Sequence, residues 1–181
     1  MDEQIRFAVL ITSRLQSARI PFMITGSMAL AVYAIPRMTR DIDLVVECQP
    51  DDAVRIAGLF QADCYVDVTE IQEAVLHRSM FNIIHNEWIV KADFIVRKDD
   101  EYRRLEFSRR RDLDIAGTTM PVVSVEDLIL SKLSWAKASE SEPQFRDART
   151  LVATVSKLDW PYLQKWAGVL GVSQLLDEVR R

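Results

Sequence analysis

Apolar residues at Ile5, Val9, Leu10, Ile11, Leu15 and Ala18 lie close to one face of a 3.6-residue repeat, so an amphipathic helix opens the chain. Pro21 ends it, the run from Pro21 to Thr25 reads as a short buried strand, and Gly26-Ser27 breaks that run. The Ala-rich stretch from Met28 to Ala34 then continues as a second helix, which Pro36 stops. A basic connection, Arg37 to Arg40, leads into residues Asp41 to Glu47. There Asp41, Asp43 and Val45 alternate with Ile42, Leu44 and Val46 at the period of a strand. The two carboxylates therefore share a face.

Pro50-Asp51-Asp52 caps a helix that runs to about Gln61, Cys64 to Val68 forms a short strand, and Glu70 to Leu76 forms another helix. Two apolar runs, Met80 to His85 and Glu87 to Val96, flank Asn86 as a hairpin, with Asp93 inside the second run. Arg97 to Asp114 is dense in charge and carries seven basic residues. It leads to a turn at Gly117 and a short apolar run from Met120 to Val125. From Glu126 to Arg181 the helical period persists in three stretches, broken at Ser139 to Pro143, at Pro161 and at Gly171. This order predicts an α+β protein, a mixed sheet core flanked by helices with a helical C-terminal third packed on it. Residues 1–181 are expected to form a single domain, with 1–124 as the core and 125–181 as the helical portion.

Composition narrows the function classes. With 181 residues, 49% hydrophobic, 28% charged, five Gly and six Pro, the chain is neither disordered nor collagen-like. Its length allows burial of about 70% of the unfolded surface without staples. A net charge of −4 argues against whole-molecule attraction to nucleic acid, but leaves room for a local basic stripe at an RNA or DNA end, such as Arg109 to Arg111. Cys48 and Cys64 form no CxxC pair, so reduced, buried thiols are expected rather than zinc or a disulfide. His77 and His85 read as packing or surface residues, and Trp135, Trp160 and Trp166 at helical positions read as core rather than as a base-stacking platform. The acidic start and the longest apolar run of eight residues, Met28 to Ile35, predict a cytoplasmic protein without signal or membrane span.

The segment from Gly26 to Val46 carries the chemistry. A Gly-Ser turn at a helix start presents unpaired backbone N–H groups that can hold a phosphate, and Ser27 can add its hydroxyl. The same turn also serves as a plain strand-to-helix connection. Thirteen residues separate Ser27 from Asp41, and the Asp41/Asp43 pair on one strand face suits one or two hard divalent cations. Asp93 is a third acid on an apolar strand. A second Asp-x-Asp pair, Asp112 and Asp114, lacks a Gly-Ser turn before it and reads as solvated. Arg37 and Arg40 fit either phosphate contact or pairing with the neighbouring acids.

The Gly-Ser turn, helix and Asp-x-Asp strand resemble the signature of the DNA polymerase beta-like nucleotidyltransferase superfamily, over about Phe22 to Val96. The resemblance implies that Asp41, Asp43 and Asp93 are catalytic and hold Mg²⁺ or Mn²⁺, with Asp93 acting on the attacking hydroxyl. It also implies nucleotide binding by Gly26, Ser27 and Arg40. The stretch from Val125 to Val152 is similar to the C-terminal motif of the abortive-infection and toxin-type (AbiEii-like) nucleotidyltransferases, in which a helix lysine precedes an Arg-Asp pair. By position, Lys132 approaches the nucleotide phosphates and Arg146-Asp147 supports the site, Asp147 by orienting Lys132 or a catalytic group. The implied activity moves a nucleoside monophosphate from an NTP to an acceptor hydroxyl on an RNA end such as tRNA, a protein or a small molecule. An antitoxin protein is an implied partner. The alternative is a catalytically silent nucleotide- or protein-binding module of the same fold.

Overall fold

In the computed structural model of the chain, residues 2–35 and 41–181 are described. Helix α1 (Glu3–Ser17) turns Phe7, Ala8, Ile11 and Leu15 into the core, as its period requires. Strand β1 (Phe22–Ile24) is wholly buried, and α2 (Gly26–Tyr33) follows after a single residue. Then come β2 (Ile42–Val46), α3 (Asp52–Phe60), β3 (Cys64–Tyr65), α4 (Val68–His77), β4 (Met80–His85) and β5 (Lys91–Val96). The rest is α5 (Glu101–Ser108), β6 (Arg111–Ile115), β7 (Thr118–Val122), α6 (Val125–Ser139), α7 (Glu142–Thr154), α8 (Trp160–Leu170) and α9 (Ser173–Arg180).

The described strands form one mixed sheet in the order β3-β4-β5-β2-β1-β7-β6. β2 runs parallel to β5, and β1 parallel to β7, while the remaining pairs are antiparallel. One face of β2 and β5 carries Ile42, Leu44, Val46, Ala92, Phe94 and Val96, all fully buried. Phe94 stacks on Phe81 at 5.0 Å between ring centroids and meets Phe60 edge-on at 5.9 Å, which anchors this side of the core. The opposite face carries Asp43, Val45, Asp93 and Ile95 at half-buried positions. A single apolar cluster unites residues of the sheet with Leu128, Leu151, Leu163 and Leu176 of the C-terminal helices.

Several element boundaries depart from the sequence reading, each for a local reason. α4 starts at Val68 because the Asp67 side chain accepts N–H bonds from Thr69 and Glu70, at 2.8 and 3.3 Å. At α3 the side chain that accepts a bond is Asp52, from the Gln49 N–H at 2.8 Å, and Asp51 makes no such cap. The charge-dense segment folds into α5 and β6, which its sequence conceals. Glu106 is buried there against Arg103 and Ser131, so an inward position carries a charged residue. Asp112 and Asp114 lie exposed on β6, as expected of a solvated pair. After Gly117 come four helices, not three stretches. Pro161 begins α8 rather than breaking a helix, since a first-turn residue has no N–H bond to lose.

Asp127, fully buried on α6, binds the C-terminal helices to the core. It accepts bonds from Ser124 at 2.5 Å, Tyr162 at 2.6 Å, Arg109 at 3.0 Å and Tyr102 at 3.3 Å. Cys48 and Cys64 are free and buried, His85 is buried against Trp88, and His77 sits on the surface beside Glu73. Trp166 is core and Trp160 is partly buried, but Trp135 is 52% exposed, contrary to the core position its helical spacing suggested. No helix among the described residues is long and apolar enough to cross a membrane.

Candidate active site

The turn between β1 and α2 brings backbone and carboxylate together. The Thr25 N–H donates to the Asp43 carbonyl at 2.9 Å, and the Ser27 N–H bonds the Asp43 carboxylate. Gly26 lies in the left-handed region at φ +62, and a Cβ there would sit 1.9 Å from Asp43 Oδ2. Glycine is required twice, by conformation and by the carboxylate packed against it. Gly26→Ala is expected to cost about 2–3 kcal/mol from left-handed strain plus overpacking. Gly58→Ala, on a helix where nothing lies within 4 Å, is expected to be neutral or stabilising. Urea unfolding of the two variants beside wild type checks this, and equal midpoints would remove the stated role of Gly26.

Register sets the acids side by side. Asp43 on β2 faces Asp93 on β5, which in turn faces Asn82 on β4, and Asp41 stands at the mouth of β2. Burial pushes the Asp43 carboxyl above the usual range, and the neighbouring Asp93 charge adds to this. Lys132 and the Ser27 N–H work against the rise, while Asp41 adds to it. Lys91, two residues before Asp93 and so on the same strand face, lies 2.9 Å from Asp93 and 3.7 Å from Asp41. Its bond to Asp93 raises its own pKa and keeps the ammonium charged.

The helical third supplies the opposing charge. Lys132 is 4% exposed on α6, with its Nζ 2.8 Å from Asp147 Oδ2 on α7. Asp147 has further interactions besides this one. Arg146 is exposed and does not line the pocket that holds the acids, and Arg40 lies outside the described residues. That pocket, about 360 Å³, is walled by the Thr25–Ser27 turn, the three aspartates, Met80 and Ile95 on the sheet, and Leu128, Ser131, Lys132 and Trp135 on α6.

The donor chemistry fits a hard divalent cation, because the three carboxylates line one pocket and the charges of Asp93 and Asp41 act against ionisation of Asp43 unless a cation sits among them. As the side chains stand, no three metal-binding groups among the described residues converge tightly enough to hold an ion. Lys91 takes the neutralising place beside Asp93 and Asp41 instead.

A family model described as the nucleotidyl transferase AbiEii toxin of type IV toxin–antitoxin systems matches residues 13–149. The chain belongs to this family. It is a nucleotidyltransferase, and the fold expected from the Gly-Ser turn and Asp-x-Asp strand is the fold observed. No curated protein sequence matches the chain. In three dimensions it is similar to an antigenic nucleotidyltransferase-like protein from Paracoccidioides brasiliensis, with TM-score 0.60 and 17% identity, over 99% of this chain and 93% of that one. It is also similar to ANT(2")-Ia in complex with adenylyl-2"-tobramycin, with TM-score 0.57 and 15% identity, over 99% and 98%. A third likeness is to the lincosamide antibiotic adenylyltransferase LnuA in its lincomycin-bound form, with TM-score 0.57 and 12% identity, over 86% and 99%. At these identities the likeness is one of fold.

Of the residues that line or adjoin the pocket of this AbiEii-family nucleotidyltransferase, Lys91 escaped the sequence reading and Trp135 was read as core, although each had a signal. Lys91 sits at strand period from Asp93, and Trp135 sits three residues after Lys132, on the same helix face.

Proposed function

We propose that this nucleotidyltransferase transfers a nucleoside monophosphate from an NTP to an acceptor hydroxyl, with Asp41, Asp43 and Asp93 as ligands for Mg²⁺ or Mn²⁺. The observation that carries the reading is the pairing of Asp43 with Asp93 beside the N-terminus of α2, with buried Lys132 lining the same pocket. A divalent cation bound there supplies Lewis-acid polarisation of phosphate oxygens and charge neutralisation. The remaining work belongs to the chain. Asp93 accepts the proton of the attacking hydroxyl, whose oxygen bonds to the α-phosphorus as the bond to pyrophosphate breaks. Gly26 and Ser27 offer backbone N–H groups and a hydroxyl to the phosphates. Lys132, held by Asp147, meets the negative charge spread over them without having to be reoriented by solvent. Arg40 is assigned to the phosphates by its place in the motif, and Arg146 to support of α7.

The whole chain acts as one domain in this reading, since the apolar cluster runs through both portions. The family's description makes an antitoxin protein its expected partner, and the cytoplasm is the place this reading assigns it. Acceptors span an RNA end such as tRNA, a protein or a small molecule, and the related adenylyltransferase folds carry antibiotics. The test incubates the protein with Mg²⁺ and each NTP radiolabelled at the α-phosphate, with total tRNA or cell lysate, beside Asp41→Ala. Label transferred by wild type and not by the variant is the expected result, and its mobility identifies the acceptor class. Folded wild type that binds NTP and transfers nothing with any acceptor points instead to the silent binding module.

A further inference from the structure

The half-buried face of β2, β5 and β4 carries two successive rows of unlike chemistry. The first row is Asp43, Asp93 and Asn82; the second, two residues along, is Val45, Ile95 and Met80. These rows are about 7 Å apart. Helix α6 repeats the sequence of polar then apolar, because Lys132 is followed on the same face by Trp135, about 4.5 Å further along the axis. Trp135 and Met80 are each 52% exposed, and both line the pocket that contains Ser27, Lys132 and the acids. Trp135 also borders a neighbouring cavity of about 310 Å³ that shares Thr25, Ile95 and Ser131 with the acidic pocket, so the half-exposed indole lies where the two cavities meet. An occupant matched to this wall has an anionic head beside the acids and Lys132 and a flat apolar body between the indole and Ile95 and Met80.

We propose that Trp135 is the stacking platform for the nucleobase of the incoming NTP, an assignment that rests on the transfer reading above. Every base offers a π-face, so such a platform strengthens binding of all four nucleotides without choosing sharply among them. The neighbouring cavity is lined in addition by Arg97, Lys98 and Arg103, none of which lines the acidic pocket. Of the two cavities that meet at Trp135, the acidic pocket is the one lined by Ser27 and Lys132, the groups assigned to the donor's phosphates. That pocket therefore belongs to the donor nucleotide.

Isothermal titration of full-length wild type, Trp135→Phe and Trp135→Ala with each Mg-NTP, and with Mg-triphosphate lacking a base, tests this. Trp135→Ala is expected to weaken every NTP about tenfold, with triphosphate binding unchanged and Trp135→Phe close to wild type. Because the ring is half exposed, the alanine variant keeps its fold, which circular dichroism verifies. NTP affinity unchanged in Trp135→Ala overturns the proposal. A variant that instead weakens the acceptor alone would also overturn it and make the ring an acceptor surface. Wild type that binds neither NTP nor triphosphate brings down the transfer reading itself, a result distinct from the other two.

Discussion

Asp43→Asn is expected to lower nucleotidyl transfer by about a thousandfold, the scale on which a preorganised electrostatic group acts on a phosphoryl-transfer transition state. Asparagine keeps the size and an oxygen for the Ser27 N–H, so the loss comes from charge and not from a cavity. The same change is expected to raise thermal stability at neutral pH. Burial and the Asp93 charge raise the folded-state pKa of Asp43, so its favourable contribution exists below the unfolded carboxylate range and is lost as pH rises through the raised value. Above that window the ionised Asp43 is a net cost to the fold, which Asn removes. The stabilisation should therefore shrink on acidification towards the unfolded carboxylate range. Transfer rates and melting curves at neutral and acidic pH check both halves. A variant within fivefold of wild-type activity would remove Asp43 from the reacting centre, and a lower melting temperature at neutral pH would contradict the electrostatic account.

Asp127→Ala is expected to destabilise the protein by about 3–5 kcal/mol, because it leaves a half-buried arginine, a serine hydroxyl and two tyrosine hydroxyls without their acceptor. Asp127 is fully buried and receives Arg109, Ser124, Tyr102 and Tyr162 from four different places in the chain. Arg109 also lies 3.9 Å over the Tyr162 ring, so losing the carboxylate disturbs a packed cluster and not one bond. Tyr162→Phe removes a single donor and is expected to cost only about 1 kcal/mol. The drop in melting temperature for Asp127→Ala should be roughly 10 °C on this size of chain. Denaturant midpoints for both variants decide the matter. A loss below that of Tyr162→Phe would show that Asp127 does not hold the helical portion to the core. Activity is expected to fall together with stability, since α6 carries Lys132 and Trp135.

Much of the candidate site was readable because each local rule had one answer. Gly26 at the end of a strand, and aspartates two apart in an alternating strand, restrict backbone and face without help from distant residues. Asp93 could be nominated from its apolar flanks, and the sheet register then set it opposite Asp43. Lys132 was legible only through its motif, since a lone helix lysine ordinarily stays in water. What buries it is Asp147, fifteen residues on and in another helix. Trp135 was misread because helical spacing says which residues share a face, not whether that face meets a partner or a cleft. The charge-dense stretch hid α5 for the converse reason. Glu106 occupies an inward position that only Arg103 and Ser131 make tolerable.

The sequence by itself determined the order of helices and strands from α1 to β5, the glycine turn, and the common face of Asp41 and Asp43, because these follow from backbone sterics and from periods of 2 and 3.6 residues. The tertiary structure decided which strands became neighbours, that Lys91 would neutralise Asp93, that Lys132 would be buried on Asp147, and that Trp135 would remain open to the pocket. Those outcomes depend on burial of charge and on contacts between residues far apart in the chain. Their free energy is set by the partner brought alongside, and no local pattern specifies that partner.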